Sequence, residues 1–138
     1  MSAADKELAE LLELGQSVVG RARAAGADVA EASVHSGSHL SVKVRMHEPE
    51  LVEEAGSRAL GLRVMLGKRV ASTYTSDLSE AGQQLLIEDA LELAKLSEAD
   101  EFAGPPDASA LSKPAEWVDL DTFDDAGSEI AADGALQR

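Results

Sequence analysis

Apolar residues recur at helical spacing from about Asp5 to Ala25. Leu8, Leu11, Leu12, Gly15, Val18, Val19 and Ala22 fall on one face. Asp5, Glu7 and Glu10 lie near the start of this helix and Arg21 and Arg23 near its end, an order that suits the helix dipole. Gly26 is placed to terminate it in the left-handed conformation. The period then drops to two. Ala30, Ala32 and Val34 alternate with Val29, Glu31, Ser33 and His35. Ser36-Gly37-Ser38 reads as a turn. A second alternating run follows, with Leu40, Val42, Val44 and Met46 inward and Ser41, Lys43 and Arg45 outward. Glu48-Pro49 should break it, and Leu51 to Ala55 should return as a shorter strand.

The run from Leu60 to Leu96 is the most regular part of the chain. Two alternating stretches flank Gly67-Lys68, and glycine at the first turn position predicts a two-residue type II′ hairpin. The register then follows. Leu66 faces Arg69, Val64 faces Ala71, Leu62 faces Thr73 and Leu60 faces Thr75 on the core side. Met65 faces Val70, Arg63 faces Ser72 and Gly61 faces Tyr74 on the other, where the tyrosine ring would lie over the glycine. Helical spacing resumes after Thr75-Ser76-Asp77. Asp77 is a candidate cap, with Glu80 completing a capping box. Leu86, Ile87, Ala90, Leu91, Leu93 and Ala94 form the predicted buried stripe.

These elements predict an α+β fold: a curved antiparallel sheet of about four to five strands with two helices on one face, then an irregular acidic tail. The domain is expected over residues 1–97. Residues 98–138, with Gly104-Pro105-Pro106 and Pro114, form an irregular Pro/Asp-rich segment. Asp124 to Arg138 reads as the start of a weak, glycine-interrupted helix leading to a further domain.

Composition narrows the function classes. The 138 residues carry a net charge of −14, so most of the surface would repel nucleic acid and anionic membranes. Aromatic residues are 3% of the chain, too few for stacking platforms along single strands. Without cysteine there is no disulfide, thiol nucleophile or thiolate metal site. No apolar run approaches the roughly 20 residues of a membrane helix, and no secretory signal pattern is present, which makes the cytoplasm the expected location.

Candidate chemistry is sparse. His35 and His39 are four apart, but with Gly37 between two serines they do not sit on a helix, so the zincin geometry is absent. His47-Glu48 has no later histidine. Asp119, Asp121, Asp124 and Asp125 lack the glycine and glutamate register of a calcium loop. The hydroxyls between Ser72 and Ser79 have no nearby histidine to activate them. Arg63, Lys68 and Arg69 form a basic spot suited to an acidic partner surface, or to guarding a strand edge. No catalytic, cofactor-binding or metal residue is assigned.

The segments ALGLRVMLGKRVASTYTSDLS and AKLSEADEFAGPPD, with DVAEASVHSGSHLSVKVRMHEPELVEEAGSRALG upstream, resemble the N-terminal domain of the TldD/PmbA family. The Thr-Ser-Asp-Leu-Ser and Glu-Phe-Ala-Gly-Pro-Pro-Asp pieces look closer to the PmbA (TldE) branch. The resemblance implies a cytoplasmic metallopeptidase assembled from paired subunits and acting on modified or unfolded peptides; members are also called modulators of DNA gyrase. It implies zinc on a His-Glu-x-x-x-His helix of the TldD-type subunit, outside this kind of domain. That motif is missing here, so no catalytic residue carries over, and whether the chain is an enzyme stays open. Family members are implied to be about three times longer, a multi-domain size. The expected role is a non-catalytic module. Its partners would be a TldD-like subunit or a second copy, together with an unfolded or modified peptide, and neither nucleic acid nor membrane. The alternative is a stand-alone interaction module that binds a partner by strand addition.

Overall fold

The computed structural model describes residues 3–122, 124–128 and 130–136. The element order is α1 (Ala3–Ala24), β1 (Val29–Arg45), β2 (Glu48–Leu66), β3 (Arg69–Thr75) and α2 (Glu80–Leu96), followed by short 3₁₀ turns and two short helices, α3 (Asp125–Ser128) and α4 (Ala132–Leu136). The strands form one sheet in the order β1-β2-β3. Phe123 lies outside the described residues.

The fold is α+β with helices packed on the sheet, as the periodicity predicts, but among the described residues three strands replace the expected four to five. Ser36-Gly37-Ser38 does not turn. It stays extended inside β1, and Gly37 is absent from the positive-φ glycines. The chain reverses instead at Met46-His47, where both residues have positive φ (52° and 66°), the signature of a type I′ hairpin. Glu48-Pro49 therefore opens β2, and Leu51 to Ala55 belongs to it without a break. Turn-forming residue types lost to continuous sheet pairing along both strands.

Two compact units result, Met1–Gly37 with Ser57–Pro105, and Ser38–Gly56 with Pro106–Arg138. The first holds the core. Leu60, Leu62 and Val64 of β2, Val18 and Ala22 of α1, and Leu86, Ile87, Ala90, Leu91 and Ala94 of α2 form one buried cluster. Ala30, Ala32 and Val34 of β1 pack against it. In this unit Ser36 and Arg58 both bond to Glu7, so even-numbered residues of both strands share the helix side. In the second unit Lys43 and Arg45 both pair with Glu50, which puts odd residues of β1 with even residues of β2.

The hairpin register matches the sequence reading at all seven pairs, from Leu60↔Thr75 to Leu66↔Arg69. Gly67 has φ 59° and Lys68 is not among the positive-φ residues, consistent with type II′. The tyrosine ring is not what lies nearest Gly61. A Cβ there would meet Ser33 Oγ at 2.8 Å, and Tyr74 is 85% exposed. Helix α1 ends as expected at Gly26 (φ 117°). The Ala27 N–H bonds Ala22 O and the Gly26 N–H bonds Arg23 O, a Schellman pair. At α2 the cap is Ser79, whose Oγ accepts from the Gly82 N–H, and not Asp77. Leu93, predicted in the buried stripe, is 47% exposed, and Gln83, near the start of the helix, is buried.

Candidate functional site

Most of the polar residues that the sequence offers for chemistry are consumed by the fold. His35 and His39 lie on one strand with regular rise, about 13 Å apart by backbone spacing. His47 is in the turn, and all three are exposed. Among the described residues no group of three histidine, aspartate or glutamate side chains could hold a metal ion. The zinc implied by the family resemblance therefore finds no donor set in the described part of this chain. Asp119 and Asp124 accept backbone N–H groups from Asp121 and Ala126, so they act as local turn and helix caps.

The hydroxyl-rich stretch before α2 is a nested cap. The Asp77 N–H donates to Thr75 Oγ1, and the Ser79 N–H donates to the Asp77 carboxylate. The Ser79 hydroxyl and backbone N–H together hold the Asp77 carboxyl below its usual 3.8. Thr73 Oγ1 bonds Leu86 O. Thr75 and Ser79 thus fix the helix start, while Thr73 ties β3 to the middle of α2.

The basic spot is likewise engaged within its own unit. Arg63 pairs with Glu31. Lys68 donates to Ala103 O, and Arg69 donates to Lys95 O and Ser97 O, closing the C-terminal end of α2. Its charges meet the chain's own carbonyls and carboxylate at exposed positions. Arg21 joins the helices by donating to Gln83 Oε1 and Gln84 Oε1.

What the first unit offers a partner is relief and open backbone. One groove of about 510 Å³ runs between α1 and β1, floored by Leu8, Leu11, Leu12, Val19, Ala32 and Val34. A second, of about 550 Å³, lies between β3 and the exposed side of α2, lined by Thr73, Tyr74, Asp89, Glu92, Leu93 and Leu96. Periodicity alone did not single out the second. Its signal was the exposed stripe Asp89, Glu92, Leu93 and Leu96 at i, i+3, i+4 and i+7, which runs beside the buried one. Such surfaces can hold polypeptide but bring no nucleophile, base or metal to it.

Residues 30–96 match the family domain described as PmbA/TldA metallopeptidase domain 1. Over this stretch the chain is similar to the first domain of the PmbA/TldD family. Similar curated proteins are PmbA-named. The metalloprotease PmbA homolog of Haemophilus influenzae is 37% identical over 128 residues, which is 91% of this chain and 28% of that protein. Metalloprotease PmbA of Escherichia coli O157:H7 is 34% identical over 110 residues, 80% of this chain and 24% of that protein. This chain thus spans about a quarter of the length of these PmbA relatives. Two crystal structures share the fold. A Bacteroides thetaiotaomicron protein bearing the name modulator of DNA gyrase superposes with a TM-score of 0.78 at 21% identity, covering 93% of this chain and 29% of that one. TldE from Thermococcus kodakarensis gives 0.58 at 19% identity, covering 67% and 21%. The matched residues 30–96 cover the three strands and α2, and α1 precedes them.

Proposed function

We propose that this chain is the N-terminal, non-catalytic module of a PmbA-type subunit in a cytoplasmic metallopeptidase. It pairs with a TldD-type subunit that supplies the zinc, and together they enclose an unfolded or modified peptide. The observation that carries the reading is the match of residues 30–96 to the first domain of a metallopeptidase family. Two further facts support it. The described residues bring no donor set for a metal. No helix among them is long and apolar enough to cross a membrane. The net charge of −14 opposes a direct nucleic-acid role, so any link to gyrase would run through proteolysis.

The test is reconstitution with a TldD-type subunit. The longest natural form of this protein is expected to co-purify with that subunit, with zinc and peptide cleavage tracking the subunit. The 138-residue chain alone is expected to hold no stoichiometric zinc and to cleave nothing. Cleavage by the isolated chain with its own bound ion would overturn the reading, as would failure of the long form to pair.

A further inference from the structure

We propose that the free edge of β3 is a docking site for an extended, basic polypeptide, which adds as a fourth strand and lays cationic side chains against Asp89 and Glu92. This names the peptide class for the function above, and it rests on that reading for the peptide's role as substrate.

The backbone argument comes first. In the order β1-β2-β3, β3 has β2 on one side only. Its other side is already used at the first rung. Ala99 bridges Arg69 in antiparallel fashion, and the Asp100 N–H donates to Lys68 O at 2.9 Å. Backbone groups alternate sides along a strand, so Lys68 O pointing outward puts the N–H and C=O of Ser72 and Tyr74 outward as well. The two-residue turn agrees, since its closing pair, Leu66↔Arg69, bonds inward and assigns Ala71, Thr73 and Thr75 to β2. Past Ala99 no further strand lies on this side among the described residues. The edge is thus a template that the chain itself begins to fill and then leaves open. A helical partner would leave these groups unmatched, whereas an extended one satisfies them.

The side chains beside the edge select the partner's chemistry. Alternate residues of an added strand would face α2 and the groove of about 550 Å³. Its apolar part is Leu93, Leu96 and Tyr74, which are 47%, 82% and 85% exposed. Its charged part is Asp89 and Glu92, neither of which has an ion-pair or hydrogen-bond partner among the described residues. A lysine or arginine stem fits the leucines while its head reaches the carboxylates. An acidic peptide would meet uncompensated like charge.

The test uses the full 138-residue chain and a capped synthetic peptide that alternates threonine with lysine and valine. Amide NMR shifts are expected at Ser72 and Tyr74 and along the exposed side of α2. Glu92→Lys, an exposed change that leaves the core untouched, should weaken binding about tenfold, as should glutamate in place of the peptide's lysines. N-methylation of alternate peptide amides should abolish it in one phase of the alternation and spare it in the other. Binding should also fall as salt is raised. Equal affinity for the glutamate peptide, tolerance of N-methylation in both phases, shifts confined to the α1 groove, or no binding at all would each overturn the proposal. If the long form still pairs with a TldD-type subunit while the peptide fails to bind, the edge site falls and the subunit reading stands. Peptide binding without pairing has the opposite meaning.

Discussion

At the scale of single residues, Gly82 and Asp77 carry more of the fold than their types suggest. Gly82 lies in the first turn of α2, and a Cβ there would come within 2.5 Å of Asp77 Cγ and 2.8 Å of Asp77 Cβ, with the Asp77 carbonyl closer still. Alanine would gain about 1 kcal/mol of helix propensity but force this turn apart, so Gly82→Ala is expected to destabilise by about 1–3 kcal/mol net, read by urea unfolding. An unchanged or raised midpoint would show that the turn yields freely. Asp77 works through charge. Its folded carboxyl is held below 3.8 by Ser79, so its contribution is present above that value and disappears as pH falls through the lower folded value. Asp77→Asn should therefore melt below the parent at neutral pH, with the gap narrowing under pH 3.8. A gap constant with pH would mean that the carboxylate charge does not hold the cap. The sequence located this cap only to within two residues. Asp77 and Ser79 are both good capping types, and the path of the loop decided between them.

Among elements, the β2–β3 hairpin was legible pair by pair. Strict alternation and a glycine-first turn leave one register that buries the apolar face. Leu62 is 2% exposed at the centre of that face. Leu62→Ala is expected to cost about 2–5 kcal/mol in chemical denaturation, and Leu62→Asp to unfold the domain, because it would bury an unpaired charge. A Leu62→Asp protein that melts like its parent would disprove the facing of β2. The β1–β2 hairpin was misread. Ser36-Gly37-Ser38 has turn composition, yet cross-strand pairing holds it extended, and the reversal falls at Met46-His47, which carries no glycine or asparagine to announce it.

For the whole molecule, the two units should differ in local stability. Within β2, residues Leu60 to Leu66 lie between β1 and β3 and carry the core. Every residue from Lys43 to Arg58 is exposed, and β3 does not reach that far. A two-stranded ribbon is marginal by itself, so amides between residues 43 and 58 are expected to exchange with deuterium well before those of residues 60–66. Equal protection along β2 would contradict this and require a covering for the ribbon. Exposed large apolar residues also mark the second unit, among them Trp117, Val118 and Leu120. Their presence agrees with a module that meets other polypeptide.

By itself the sequence determined the α+β class, the β2–β3 register and the glycine stop of α1, because each follows from spacing along a local stretch, and its segments carried the family resemblance. Only the tertiary structure decided the number of strands, the choice of cap, the internal use of the basic residues and the open edge beside Asp89 and Glu92. Those outcomes depend on which backbone and side-chain groups find partners far away in the chain. Local pattern supplies candidates for such pairings, and three-dimensional competition selects among them.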